Sequence, residues 1–337
     1  MRVGIIGYSG SGKTTLFNAL TGLSAATGFG GKGKANLGVI KVPDPRVVKL
    51  AEIFKPKKTT FSEISFVDLP AAARGSGETW DPKALAELKT VEAFVHVVKG
   101  FDDGAGKTDP ESDLRALEAE FVLADLLVAE KRIERLRKDH SNPTELKTLE
   151  GLHAGLSAER PVRDIPLSVE DERAVAGFKL LSQKPILVVV NVDESDLAPR
   201  EIPPFRTLTL SAKVEAEVAA LDAAERAEFL SALGIEEPAR DRFVRAAFAL
   251  LDLIAFLTTG EDECRAWTIR RGTPAVRAAG KIHSDIERGF IRAEVVPYET
   301  FIQLGSDAKC REAGKMRLEG KEYVVTDGDI IHFRFNV

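Results

Sequence analysis

The sequence predicts an α/β protein: a doubly wound, mostly parallel sheet, interrupted by a helical segment and followed by a small α+β domain. Three observations predict it. Short, nearly continuous apolar and β-branched runs recur through the first 110 residues and again near residues 186–210, as in strands buried on both faces. Between them, residues 110–183 hold no strand pattern but carry two helical apolar stripes. After residue 251, short strand patterns punctuated by glycine replace the helices.

Val3 to Ile6, Val39 to Val42, Ile64 to Val67 and Ala93 to Val98 read as strands, and Ile186 to Val190 and Thr207 to Leu210 as two more of the same sheet. Leu114, Leu117, Phe121, Ala124 and Val128 recur at steps of three and four, one face of a helix. Its other face is charged, from Glu130 to Lys138, and reads as solvated. Asn142-Pro143 supplies an N-cap and a proline at the first helical position, opening a second stripe of Leu146, Leu149, Leu152 and Leu156. The expectation is a helical hairpin projecting from the α/β domain. In the last domain, Cys264 to Ile269, Ala293 to Val296, Tyr323 to Val325 and Ile330 to Phe335 read as strands. The boundaries drawn are 1–109 and 184–251 for the two parts of the α/β domain, 110–183 for the insertion and 252–337 for the last domain.

Composition excludes several classes. With 337 residues, 44% hydrophobic and 29% charged, the chain is not disordered throughout. Its longest aliphatic run, Ile186 to Val190, is far below the ~20 residues of a membrane span. Met1 leads into a strand with no leader segment, so a cytoplasmic protein without membrane contact is expected. Cys264 and Cys310 are too few for a disulfide scaffold or a cysteine-based zinc site and read as buried thiols. A net charge of −5 disfavours coating of nucleic acid through bulk positive charge, while leaving room for local basic faces. One such face is suggested by Arg265, Trp267, Arg270, Arg271 and Arg277.

The chemistry concentrates in two places. Gly7-Tyr8-Ser9-Gly10-Ser11-Gly12-Lys13-Thr14 matches G-x-x-x-x-G-K-[ST] directly after the strand Val3 to Ile6 and before a helix start. Glycines let successive N–H groups wrap phosphates, and the following helix points its positive end at them. Ser9, Gly10, Ser11, Gly12, Lys13, Thr14 and Thr15 are therefore assigned to phosphate binding. Thr14, with Asp68 at the end of the neighbouring strand, is assigned to Mg²⁺. The second place is the base site at the strand ends: Asn191, Val192 and Glu194, with Ser211, Ala212 and Lys213. GTPases of the translation-factor class carry N-K-x-D there, and that Asp accepts two hydrogen bonds from guanine. Here Glu194 replaces the Asp and Val192 the Lys, which shifts the acceptor atoms and leans the site towards adenine.

These motifs carry a family resemblance. With N-V-D-E at 191–194, S-A-K-V-E-A-E at 211–217, T-T-G-E-D-E-C-R-A-W-T-I-R-R-G-T at 258–273, R-E-A-G-K-M-R-L-E-G-K-E-Y at 311–323 and D-G-D-I-I-H-F-R-F-N-V at 327–337, the chain resembles the Obg-like ATPases of the YchF type. The resemblance covers nearly the whole length. It implies a P-loop NTPase domain with a coiled-coil-like helical insertion, a carboxyl-terminal TGS domain of β-grasp fold, ATP preferred over GTP, and association with ribosomes. A GTP-binding switch of the Obg class is the alternative, and a monomer is expected.

The departures from the family lie at the chemistry. Its phosphate loop reads G-x-x-N-V-G-K-S, and here Gly10, Ser11 and Thr14 replace Asn, Val and Ser. Lys32 stands where the family's first switch has a Thr that closes on Mg²⁺, with Lys34 nearby. After Asp68 the family reads D-I-A-G, and here Ala71 replaces the glycine that senses the γ-phosphate, with Arg74 just beyond. Two readings follow: a slow ATPase in which Lys32 or Lys34 acts electrostatically at the γ-phosphate, or a nucleotide binder whose switching has decayed. Both predict weak intrinsic hydrolysis. His96, inside a strand, reads as a core histidine rather than a base.

Overall fold

Runs of valine and isoleucine without polar alternation need cover on both faces, and they form the centre of the first sheet. The computed structural model describes residues 1–25, 35–70, 82–104, 108–232, 235 and 237–336. In chain order the elements begin β1 (Arg2–Ile6), α1 (Lys13–Thr21), β2 (Asn36–Lys41), α2 (Pro45–Phe54), β3 (Lys58–Thr60), β4 (Glu63–Asp68), α3 (Pro82–Thr90) and β5 (Ala93–Lys99). The insertion supplies α4 (Pro110–Asp139), α5 (Pro143–Ser157) and α6 (Val169–Val175). Next come β6 (Ile186–Asn191), β7 (Arg206–Leu210), α7 (Ala212–Ala220), α8 (Ala223–Ala232) and α9 (Ala239–Leu250). The chain ends with β8 (Leu253–Thr258), β9 (Glu263–Arg270), α10 (Ala275–Ile282), α11 (Ser284–Arg288), β10 (Phe290–Pro297), α12 (Tyr298–Leu304), α13 (Asp307–Glu312), β11 (Arg317–Glu319) and β12 (Asp329–Phe335). Among the described residues no helix is long and apolar enough to cross a membrane.

Two compact units are formed, one of residues 1–39 and 65–243, the other of 40–64 and 244–337. The first sheet runs β2-β4-β1-β5-β6-β7. The pairs β1–β4, β1–β5, β5–β6 and β6–β7 are all parallel. This is the α/β class expected, with all six expected strands present. One face of the sheet is covered by the start of α4, whose Leu114, Leu117 and Phe121 pack with Phe94, Val98, Val188 and Val190.

α4 is a single 30-residue helix, opened by the Asp109 carboxylate accepting the Ser112 N–H at 3.0 Å, with Pro110 in its first turn. Farther along, Ala129, Ile133 and Leu136 turn away from the sheet and pack against Leu149, Leu152 and Leu156 of α5. Asn142 caps α5, accepting the Glu145 N–H at 3.2 Å. The expected charged face is laced by Arg132–Glu145 at 2.7 Å and Arg137–Glu150 at 2.7 Å. Where the chain returns to the sheet, buried Asp125 of α4 accepts the N–H groups of Leu181 (2.8 Å) and Ser182 (2.7 Å) and the Ser182 hydroxyl (2.6 Å). Beside it, the Lys184 ammonium donates to the Leu88 carbonyl at 2.6 Å and lies 5.3 Å from the Phe94 ring centroid. Burial pushes Lys184 down to about 8, with Asp125 opposing.

The second unit is built on a sheet of order β11-β10-β12-β8-β9-β3. One face buries Ile254, Phe256, Ile269, Val295 and Ile331 under α10, and the other buries Ala255, Leu257, Ala266 and Phe301. Residues 40–64, drawn from sequence as part of the α/β domain, belong to this unit. The reason is physical: Val47 and Leu50 of α2 bury against Leu257 and Phe301, and β3 pairs in parallel with β9. Residues 244–251 also fall here rather than before the boundary at 252. Tyr323 to Val325 makes only an isolated bridge, Val324 to Pro274, instead of a strand. The arginines of the suggested basic face are largely engaged. The Arg265 guanidinium lies 3.8 Å from the centroid of half-buried Trp267, Arg271 pairs with Asp252 at 3.1 Å, and Arg277 with Glu287 at 2.6 Å. Cys264 and Cys310 are buried free thiols.

Candidate functional site

The loop from Gly7 to Gly12 leaves β1 and enters α1. Gly7 turns at φ 152°, and a Cβ there would run into the Val97 carbonyl of β5. The Ser11 N–H donates to the Tyr8 carbonyl at 3.2 Å and closes the loop on itself. Ser9 and Gly10 form its exposed rim, Ser11 is buried, and Gly12, Lys13, Thr14 and Thr15 are half-buried at the start of α1. The first-turn N–H groups of α1 thus meet Lys13 and Thr14 at one point, the arrangement that favours an anion.

Asp68 arrives from the next strand. The parallel register of β1 and β4 sets Asp68 opposite Ile5, two residues before the loop. The Thr14 hydroxyl donates to Asp68 Oδ2 at 3.0 Å, and the Asn36 amide approaches the same oxygen at 3.4 Å. Lys13 Nζ lies 4.0 Å from Asp68 Oδ1. That Oδ1 is buried and has no hydrogen-bond donor among the described residues. Burial pushes the Lys13 ammonium below its ordinary value, and Asp68 pulls it back up. A hydroxyl and a carboxylate with an unsatisfied oxygen form a hard-oxygen donor set, suited to a small divalent cation.

The third contribution comes from the ends of β6 and β7. Asn191, 4% exposed, donates its amide to the Ser11 carbonyl at 2.9 Å and accepts the Ala212 N–H at 2.8 Å. Gly12 sits directly against it at φ 85°, and a Cβ there would collide with the Asn191 amide. Ser211 caps α7, accepting the Val214 N–H at 3.5 Å. Glu194 and Lys213 are exposed and paired at 2.9 Å, a bond that holds Lys213 above its usual range. Asp193 accepts the Ser195 N–H and hydroxyl, which keep its carboxyl below the usual range.

The structure therefore brings together Ser11, Gly12, Asn191 and Ala212 in one cluster, and Lys13, Thr14 and Asp68 in another. It does not bring the Val192 side chain to either: Val192 is 2% exposed within the core of the sheet, and its N–H bonds the Leu210 carbonyl. Lys32, Lys34, Ala71 and Arg74 lie outside the described residues. Asn36 was not singled out from sequence. Its position at the head of the strand beside β4 was the available signal. His96 is 1% exposed, and burial pushes it down to about 3, so it is neutral and out of reach as a base.

Comparison with known proteins extends the similarity beyond the loop. Residues 2–132 match the family described as 50S ribosome-binding GTPase. Residues 253–336 match the carboxyl-terminal YchF GTPase family, which is described as a protein of unknown function. The chain is 40% identical to the "Ribosome-binding ATPase YchF" of Bacillus subtilis and covers all of both sequences. It is 41% identical to the protein of the same name from Haemophilus influenzae, covering all of this chain and 99% of that one. The solved structure of the Schizosaccharomyces pombe YchF GTPase superposes with a TM-score of 0.86 at 28% identity, over 99% of this chain and 97% of the other. Such identity along both chains from end to end, with one architecture throughout, leaves a single conclusion: the chain belongs to the YchF family.

Proposed function

We propose that the chain binds a nucleoside triphosphate with Mg²⁺, ATP ahead of GTP, hydrolyses it slowly, and couples its nucleotide state to association with the ribosome. The observation that carries this reading is the convergence of Lys13, Thr14 and Asp68 at the phosphate loop, with Asn191 bracing the loop from the base side. Lys13 supplies a positive charge for the β- and γ-phosphates. Thr14 and Asp68 would hold Mg²⁺, a fit supported by the unsatisfied Oδ1 of Asp68. Bound there, the ion would neutralise charge on the phosphate oxygens. No described side chain is placed as a general base, which accords with phosphoryl transfer by positioning and electrostatics.

Adenine preference is supported by Glu194 in place of a guanine-reading aspartate, and by its engagement with Lys213. Ribosome association is supported by the relatives' own names and by the family matched over residues 2–132. A cytoplasmic monomer is the corresponding expectation. A competition titration tests the base: ATP should displace a bound fluorescent nucleotide at lower concentration than GTP, and the reverse order would make the chain a guanine nucleotide switch. Single-turnover hydrolysis with and without ribosomes tests the rest. Slow turnover that ribosomes change is expected. Turnover absent under both conditions would make the chain a non-hydrolysing nucleotide-binding module.

A further inference from the structure

We propose that the hydrogen bond between Tyr8 and Glu120 ties the phosphate loop to the helical arm of α4 and α5, so that nucleotide at the loop changes the behaviour of the arm. Tyr8 belongs to both places at once. Its main chain is in the loop, where its carbonyl accepts the Ser11 N–H at 3.2 Å. Its side chain leaves the loop, is 5% exposed, and packs in the same cluster as Leu114, Leu117 and Phe121 of α4. At the end of that path the phenol donates to Glu120 Oε1 at 3.3 Å, across 112 residues of sequence. Burial pushes the Glu120 carboxyl up and the phenol pulls it down.

What lies beyond Glu120 gives the bond its reach. Phe121 follows immediately, its ring 5.0 Å from Phe94 of β5. The same uninterrupted helix then carries Ala129, Ile133 and Leu136 into the arm. At 1.5 Å per residue it is about 45 Å long. It needs no hinge to pass a tilt from one end to the other. The arm is itself braced by Arg132–Glu145 and Arg137–Glu150, so α5 follows α4. A ligand that changes the loop's preferred geometry then biases α4, and by linkage a partner holding the arm changes nucleotide affinity by the same factor.

The inference about nucleotide rests on the proposed function, so the test has one arm that does not need nucleotide. Hydrogen exchange is followed on the full chain. Without nucleotide, Glu120→Ala should raise exchange at residues 7–14 about threefold, and Glu120→Gln, which keeps the acceptor oxygen, should restore the wild-type rate. Tyr8→Phe combined with Glu120→Ala should have a smaller effect than the sum of the two singly, as for two partners that share a bond. With saturating ATP and Mg²⁺, wild-type exchange over residues 129–156 should change, and Glu120→Ala should abolish that change while ATP still binds by titration. Unaltered loop exchange in Glu120→Ala, additive effects of the two substitutions, or an arm response that survives Glu120→Ala would overturn the tie. Failure of the wild type to bind ATP would instead overturn the nucleotide reading, with the nucleotide-free arm still deciding whether loop and arm are joined.

Discussion

The Thr14 hydroxyl donates to Asp68 Oδ2 at 3.0 Å, across the gap between α1 and the end of β4. Two residues 54 apart in sequence thus meet at the mouth of the loop from Gly7 to Gly12. Asp68→Asn keeps the shape and an acceptor oxygen but removes the charge. Its Mg²⁺ half-saturation for nucleotide binding should rise about 10–100-fold, with folding stability little changed. A magnesium titration at fixed nucleotide reads this, and an unchanged midpoint would remove Asp68 from the metal site.

Gly12 should tolerate no side chain. Alanine there meets both a left-handed backbone, costing about 1–2 kcal/mol, and the Asn191 amide. Gly12→Ala should therefore lower stability by that amount or more and abolish nucleotide binding, because Asn191 must move off the Ser11 carbonyl. Denaturant unfolding and nucleotide titration of one preparation would check both halves.

Asp125 holds the return of the insertion through three donors. Asp125→Ala leaves two buried N–H groups and a hydroxyl without their acceptor, and should cost about 3 kcal/mol. Asp125→Asn should recover only part of this, since its amide nitrogen would face donors at Ser182. The ordering wild type, Asn, Ala in urea midpoints is the expected result.

Lys184 makes stability depend on pH. Its folded pKa of about 8 lies below the unfolded value of about 10.4, so the unfolded chain holds more protons between those two values. Stability therefore rises with pH across that window on account of this group, and below pH 8 the buried ammonium is a constant burden. Lys184→Met should flatten the difference. Subtracting its urea midpoint from that of the wild type at each pH isolates the effect, and two parallel curves would show that Lys184 does not titrate there.

Much of this fold is legible in the sequence. The central strands of the first sheet, β1, β5 and β6, are buried on both faces and read as nearly uninterrupted apolar runs, while the edge strands β2 and β7 carry exposed polar positions and show a shorter apolar signature. The loop from Gly7 to Gly12 between β1 and α1 is equally plain as a strand–loop–helix junction, because its glycines at positions 7, 10 and 12 take positive φ. What stayed hidden depends on partners far along the chain. β3, Lys58-Thr59-Thr60, has no apolar signature and is a strand only because β9 lies beside it. β8 follows α9 with no glycine or proline between them, and the break is made by Asp252 at φ 49°. Val192 stands in a motif that reads as base-binding, yet alternation along the chain turns its side chain into the core. Tyr8 occupies a position where the loop motif permits any residue, so nothing local announced its bond to Glu120.

Residues 40–64 leave the first unit and return to it, and they complete the second. Neither unit is therefore a single stretch of the gene. A stop codon before residue 244 would strand Val47 and Leu50 without the surfaces that bury them and leave β3 with no neighbour to pair. Ribosomal synthesis meets the same condition: segment 40–64 emerges early, and its pairing with β9 must wait for some two hundred further residues to be made. Loss of the carboxyl-terminal end would thus be felt within the amino-terminal quarter of the polypeptide.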